Sequence, residues 1–495
     1  MIEFNVSMFI AFILYLAFVM AIAIWSMYRS RGGDAGDYFL AGRNMGKWVT
    51  ALSAQTSDMS GWLLMGFPGA ILAIGLGEAW IAIGLIAGMY LNWLLVAARL
   101  RRFTKAADDA ITIPEYLTRR FKSKSVVLQV ICAAVFLFFF TIYVSVGINA
   151  GGQVLNSIVG IGEMPSFIIF TFFILAYTLL GGLSAVCRTD FFQGMLMLVA
   201  LVTTPIVVLL TTNLDFTGMT ATAPNYWNMM PSGQFDWDSV STILSNLAWG
   251  LGYFGMPHII IKFMAVKKSS MIKFSRRIAM GWMVIALAAA VLVGFVGRAY
   301  MPQLVDGNSE RVFIEMVISI FPGIVAGVLL SAIVAAAMST ADSQLLVASS
   351  AITNDIYKPL AKKKKDDKKV LWVGRIVVVI VALVAFIIVA SGARGIMALV
   401  RYAWAGFGAA FGPVIILSLY WKRFTYKGAV AGIVTGAATV LIWSEFLEEI
   451  TSLYSLIPAF GLAFAAAVIV SLVDKAPSKE VEAVFEKALD SSIDD

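Results

Sequence analysis

Residues 47–70 read KWVTALSAQTSDMSGWLLMGFPGA, and this stretch decides the fold. It is long enough to cross a bilayer and almost wholly apolar or small, yet it carries Asp58. A carboxylate at that depth costs roughly 3 kcal/mol even on lenient insertion scales unless something stabilises it. Its neighbours Thr56, Ser57, Ser60 and Gly61 are poor helix formers, and their backbone or hydroxyl groups readily hydrogen-bond outside a helix. A charge thus coincides with a break in a membrane helix, a combination that marks an ion or substrate path.

The rest of the chain supplies the membrane context. Of its 495 residues 60% are hydrophobic, and the mean hydropathy is +0.87. No soluble core absorbs that much apolar surface, so the fold class is all-α and polytopic. Apolar segments fall at about 6–28, 47–74, 77–98, 125–152, 165–182, 189–211, 239–263, 278–300, 312–348, 371–391, 396–421, 427–446 and 453–473, which gives 13 transmembrane helices. The first, Val6 to Tyr28, is spanning length and is followed by basic residues, so it reads as retained rather than cleaved. The ninth is too long for one straight span and must tilt, break or continue beyond the bilayer.

Thirteen spans place the termini on opposite sides. With the N-terminus outside, 33 of the 37 Lys and Arg fall in or beside cytoplasmic segments, including RSR (29–31), RLRRFTK (99–105), RRFKSK (119–124) and KKKKDDKK (362–369). The exceptions are Arg298, Arg311, Arg394 and Arg401. The positive-inside rule then sets the C-terminus in the cytoplasm. The acidic tail after Lys475 reads as a short solvated helix.

Several functions are excluded. There is no GxxxxGK[ST] sequence to cradle ATP phosphates. His258 is the one histidine, so there is no His cluster for metal chemistry. Cys132 and Cys187 offer no metal spacing or disulfide framework and read as small buried hydrophobes. The net charge of +7 sits in short loops, which argues for topology rather than nucleic-acid binding.

A second break matches the first. Residues 249–258 read WGLGYFGMPH, with Gly250, Gly252, Gly255 and Pro257. Glycine and proline release backbone groups that, in lipid, must face protein, water, an ion or a substrate. The two broken spans are five helices apart. An odd offset inverts topology, so spans 2–6 and 7–11 form inverted five-helix repeats with the site at their discontinuous helices. The ninth span adds AAMSTADSQLL (336–346), whose Ser339 and Thr340 are hard-oxygen candidates for sodium. Alternatively each hydroxyl bonds the carbonyl four residues back, and spacing does not choose between these readings.

At DYFLAGRNMGKW (37–48), SDMSGWLLMG (57–66), GGLSAVCRTDFFQG (181–194), SNLAWGLGYFGMPHIIIKFMA (245–265) and MSTADSQLLVASSAITNDIYK (338–358), the chain resembles the sodium:solute symporter family, and within it the proline carriers. The resemblance runs from about residue 25 to 445. It implies a transporter rather than an enzyme, with the leucine-transporter-like fold and one extra N-terminal and two extra C-terminal helices. The parts would be residues 1–46, a first repeat 47–211, an extracellular loop 212–238, a second repeat 239–421, two helices in 422–474 and a cytoplasmic tail 475–495.

The resemblance also implies sodium-coupled uptake of L-proline by alternating access across a bacterial plasma membrane, with Na+ as coupling ion and no organic cofactor, ATP or nucleic acid. It maps sodium onto carbonyls of Thr56, Met59 and Ala336 and hydroxyls of Ser339 and Thr340, supported by Asp58, Asp190 and Arg43. It maps proline onto Ser60, Gly61, Trp62, Tyr143, Trp249, Tyr253 and Pro257, with Gly250, Gly252 and Gly255 as hinge. This sequence departs from the family at Thr56, where a small residue is expected, and at Asp342, where an uncharged one is common. Rival readings are the same machine carrying another amino acid, an organic acid or a vitamin, a membrane sensor, or a channel.

Such residues suit the task. Aromatic walls can enclose the proline ring and attract its ammonium by about 1–2 kcal/mol, while free amides at a broken helix bind the carboxylate. A sodium ion crossing 100 mV contributes about 2.3 kcal/mol. Gly406, Gly408, Gly412 and Pro413 in the eleventh span are either hinge points or packing sites.

Overall fold

In lipid, an apolar run satisfies its own backbone polar groups by coiling into a helix. The structure, a computed structural model, describes residues 5–29, 40–214, 216, 219, 225–305, 307–358, 367–392, 395–490 and 493. Residues 362–366 of the lysine-rich run, Arg394 and parts of the 212–238 loop lie outside the described residues.

The main helices are α1 (Val6–Arg29), α2 (Lys47–Asp58), α3 (Trp62–Ile74), α4 (Leu76–Ala106), α5 (Ile113–Arg120), α6 (Val127–Val159), α7 (Glu163–Thr211), α8 (Trp237–Gly252), α9 (Pro257–Ala265), α10 (Ser269–Tyr300), α11 (Val312–Ile320), α12 (Gly323–Tyr357), α13 (Asp367–Ala390), α14 (Ile396–Tyr420), α15 (Tyr426–Phe446), α16 (Leu456–Val473) and α17 (Lys479–Leu489). Among the described residues the β structure is one isolated bridge, Met45 to Val266.

Among the described residues eleven helices are long and apolar enough to span, and α2 with α3, bent by 63°, makes a twelfth. The exact count of 13 is not confirmed by length and apolarity alone. The expected seventh span is two helices of 16 and 9 residues, neither long enough alone, because the chain leaves the helix between Gly252 and Pro257. The expected ninth span breaks at Phe321–Pro322 into α11 and α12. There Pro322 has no N–H to continue the ladder.

α7 is assigned as 49 helical residues, yet Tyr177 hydrogen-bonds Thr189, twelve residues on. A straight helix would separate them by about 18 Å. The chain therefore bends sharply between them, and α7 is two spans, Glu163–Leu180 and Ala185–Thr211.

The broken helices sit at the centre. Every residue of α2 from Thr50 to Asp58 is buried, as is every residue of α12 from Leu329 to Ala351. α12 packs on α1, α6 and α7, and α4 packs along α8. The α4–α8 contact is backbone to backbone: a Cβ on Gly88 would lie 2.1 Å from Gly250 O, and one on Gly84 2.4 Å from Leu247 O. On the loop before α8, Asp236 accepts the Ser239 N–H at 2.8 Å as an N-cap. That bond, with the Ser232 hydroxyl, holds its carboxyl below the usual range.

Candidate functional site

The two breaks meet. α2 ends at Asp58, Met59 leaves the helical region (ψ 78°) and the chain re-enters a helix at Trp62. The break bonds itself: Ser60 N donates to Asp58 O at 2.9 Å and Trp62 Nε1 donates to the same carbonyl at 3.1 Å. In the second break Pro257 opens α9, where its missing N–H costs nothing. Tyr253 Oη donates to Asp58 Oδ2 at 2.5 Å, and both residues are fully buried. One bond to the carboxylate thus joins the two discontinuous spans.

Beside it, α12 brings hydroxyls to α2. Ser339 Oγ donates to Thr56 O at 2.8 Å and to Ala336 O at 3.2 Å, and Thr340 Oγ1 donates to Thr56 O at 3.3 Å. Both hydroxyls therefore cross to the partner helix rather than serving only their own. Thr56 turns its own hydroxyl to Leu52 O at 2.9 Å, so its carbonyl is the oxygen it offers here. Thr56, Met59, Ala336, Ser339 and Thr340 are buried. The convergent oxygens are neutral and hard, the kind a sodium ion takes. Among the described residues no group of three His, Cys, Asp or Glu offers a transition-metal site.

Aromatic side chains wall the space next to the breaks. Trp62 lies 6.3 Å from Trp249, centroid to centroid. Trp249 stacks on Tyr454 at 5.8 Å and Trp404 Nε1 donates to Trp249 O at 2.8 Å. Tyr253 meets Trp404 edge-on at 5.0 Å. Tyr143, from α6, lies beside Ser60 and Trp62 and edge-on to His258 at 5.9 Å. Tyr143 Oη, Trp249 Nε1 and Asp58 Oδ1 are buried without a hydrogen bond of good geometry. Such groups are costly unless a ligand or water meets them. Gly61 allows α6 its close approach, since a Cβ there would meet the Ala150 Cβ at 2.4 Å.

Towards the end of the molecule where α3 runs into α4, Trp249 lines an open cavity of about 400 Å³ with Glu78, Glu310 and Arg401. Trp249 thus belongs both to that cavity's lining and to the aromatic cluster beside the breaks. The hinge glycines are tightly packed as well as near the break. Gly250 lies against Gly84, Gly252 against the Trp404 indole and Gly255 against Phe407 O.

Asp190 and Arg43 do not share one place. Asp190 is fully buried and accepts from Ser53 at 2.5 Å and Ser57 at 3.4 Å. Arg43 lies at the other edge of this region. It donates to Thr104, Met264 O and Ala110 O at 3.1, 3.0 and 2.7 Å, binding the C-terminal end of α9 to that of α4. Asp342 is buried and accepts from Thr178.

The sequence reading missed Lys262. It is wholly buried in α9, 3.5 Å from Asp190 and 3.1 Å from Ser343. Its signal in the sequence is a lone cation in the apolar stretch PHIIIKFMA. Trp404 and Tyr454 were also missed, since nothing in their local sequence separates them from packing aromatics.

Residues 38–436 match the model of the sodium:solute symporter family. The osmoregulated proline transporter OpuE of Bacillus subtilis is 43% identical over 492 residues, covering 98% of this chain and 97% of that protein. The sodium/proline symporter of Escherichia coli is 44% identical, covering 98% and 96%. Among solved structures, a substrate-bound, outward-open Na+-coupled sialic acid symporter superposes with a TM-score of 0.81 at 17% identity, covering 96% of this chain and 100% of that one. At that identity the likeness speaks for the fold.

Proposed function

The chain belongs to the sodium:solute symporter family, and on that premise we propose that it couples inward movement of sodium to uptake of L-proline. The observation that carries the reading is the junction at Asp58. A neutral oxygen cluster (Thr56 O, Ala336 O, Ser339, Thr340) lies on one side of it, and an aromatic chamber tied to it through Tyr253 lies on the other. Its relatives are named for proline.

In this account sodium takes the Thr56, Met59, Ala336, Ser339 and Thr340 oxygens, and the two hydroxyl protons turn away from Thr56 O. Asp58 does not ligate the ion. It fixes the end of α2 and supplies negative charge nearby, held in place by Tyr253. Sodium binding ties α2 to α12 and so orders the break from Met59 to Gly61. Proline then lies between Trp62, Tyr143, Trp249 and Tyr253, with its carboxylate at the N-terminal start of α3 beside Gly61 and its ring on Trp249 and Pro257. Asp190, with Lys262 and Arg43, lies along the inner route by which the ion leaves.

Coupling follows because a ligand shifts a conformational population only by its differential affinity, and sodium contacts both α2 and α12 in one conformation. Residues 47–211 and 239–421 form the two repeats, with 422–474 adding two helices outside them. The N-terminus faces outward and residues 475–495 face the cytoplasm, on the side of the basic loops. The cavity beside Trp249 then opens outward.

Binding of radiolabelled proline to the purified protein, titrated with sodium, tests the assignment. Sodium in the millimolar range should raise proline binding, and unlabelled proline should displace it completely. Binding indifferent to sodium, or not displaced by proline, would refute the assignment.

A further inference from the structure

The acidic tail is not solvated as its composition suggests. α17 buries Val481, Val484, Phe485 and Ala488 against the ends of α4 and α5. Phe485 meets Phe103 edge-on at 5.3 Å, and the Arg120 guanidinium lies 5.0 Å over its ring. Arg120 Nη1 donates to Val481 O at 3.1 Å, and Arg102 donates to Leu489 O at 3.4 Å. Lys422, just past α14, pairs with Glu482 at 3.1 Å and Glu486 at 2.7 Å.

The helix bridges the ends of α4 and α5 to the residues after α14, alongside the Arg99 bond to Leu419 O at 2.8 Å. α4 is locked to the second broken span by the Gly84 and Gly88 contacts with α8. Near the end of α9, Arg101 Nε donates to Val266 O at 2.7 Å. When α8 and α9 move, the end of α4 must move with them. α17 itself is tethered to α16 by the short segment 474–478. The end of α16 is fastened to the loop after α14: Lys427 pairs with Asp474 at 2.9 Å, and Arg423 donates to Ser471 O and Leu472 O.

We propose that α17 is a cytoplasmic latch, seated on α4 and α5, that must part from them each time the inner side opens. The five-residue linker to α16 limits how far it can follow α4. The ion pairs of Lys422 are half-exposed and salt-screened. The seat of Phe485, Val481 and Val484 on Phe103 and Arg120 is the part that resists opening. This inference goes beyond the transport reading, but its test is read through transport.

The test is an Arg102→Cys/Leu489→Cys variant in proteoliposomes, joined by a short bis-methanethiosulfonate cross-linker that dithiothreitol cleaves. Single-cysteine variants control for the buried Cys132 and Cys187. Cross-linking should lower sodium-driven proline uptake at least about tenfold, as for a blocked gating step. It should leave sodium-dependent proline binding in place and be reversed by dithiothreitol. A Phe103→Cys/Phe485→Cys pair should behave alike. Fully cross-linked protein that transports at the uncross-linked rate overturns the latch, as does loss of binding along with uptake. Wild-type protein that takes up no proline under a sodium gradient would instead refute the transport reading.

Discussion

Replacing Tyr253 by Phe removes one oxygen and keeps the ring. The Trp404 edge-on contact at 5.0 Å and the packing volume survive, so what is lost is the 2.5 Å bond to Asp58 Oδ2. Asp58 Oδ1 already has no hydrogen-bond partner, so the variant leaves a fully buried carboxylate with none. A hydrogen bond to a charged group contributes about 1.5–3 kcal/mol. At 1.4 kcal/mol per tenfold, that is roughly 10- to 150-fold in the equilibrium it supports. The account places this bond in the state that holds both ligands, so the loss falls on that state. Tyr253→Phe should therefore raise the half-saturating proline concentration, measured at subsaturating sodium, by about tenfold or more. In a double-mutant cycle with Asp58→Asn the two effects should be strongly non-additive, with a coupling of about 1.5 kcal/mol or more. An affinity within about twofold of wild type, or simple additivity in the cycle, would refute the claim that this bond unites the two spans.

Ser339→Ala and Thr340→Ala each remove a hydroxyl facing Thr56 O. Each should raise the half-saturating sodium concentration about tenfold while proline affinity at saturating sodium stays close to wild type; the reverse pattern in uptake kinetics would move the ion elsewhere. Trp249→Ala deletes the indole packed against Trp62 and Tyr454 and should weaken proline binding at least about tenfold, as read by radioligand saturation, with little change in sodium activation. Lys262→Met leaves Asp190 as a buried, uncompensated charge and should cost about 3–5 kcal/mol of stability, seen as a fall in the detergent unfolding temperature; adding Asp190→Asn should recover most of it. A Lys262→Met protein as stable as wild type would show that the pair carries no structural charge balance.

What the sequence made legible was local. The break at 57–61 followed from Ser, Asp and Gly within an apolar run, and the structure ends α2 at Asp58 and resumes at Trp62. Pro257 marked the start of α9. The facing of Ser339 and Thr340 was not readable, because a hydroxyl on a helix can serve its own helix or the next. The Thr56 carbonyl decided that question, and it lies 283 residues away in sequence from Ser339. Lys262 was obscured for the same reason, since its partner Asp190 lies on another span. The acidic tail misled because charge on one face of a short helix says nothing about what covers the other. The seventh span was legible as a broken one, and glycine and proline divide it into two helices each shorter than the bilayer.

The central claim is that sodium and proline share one site at the Asp58 junction and cross together. Uptake of radiolabelled proline into proteoliposomes, with and without an inward sodium gradient at fixed membrane potential, tests this most directly. With that potential held at zero, the account predicts accumulation above equilibrium only when the sodium gradient points inward, collapsing when sodium is equal on both sides. Proline uptake of equal rate and extent with no sodium present would contradict it.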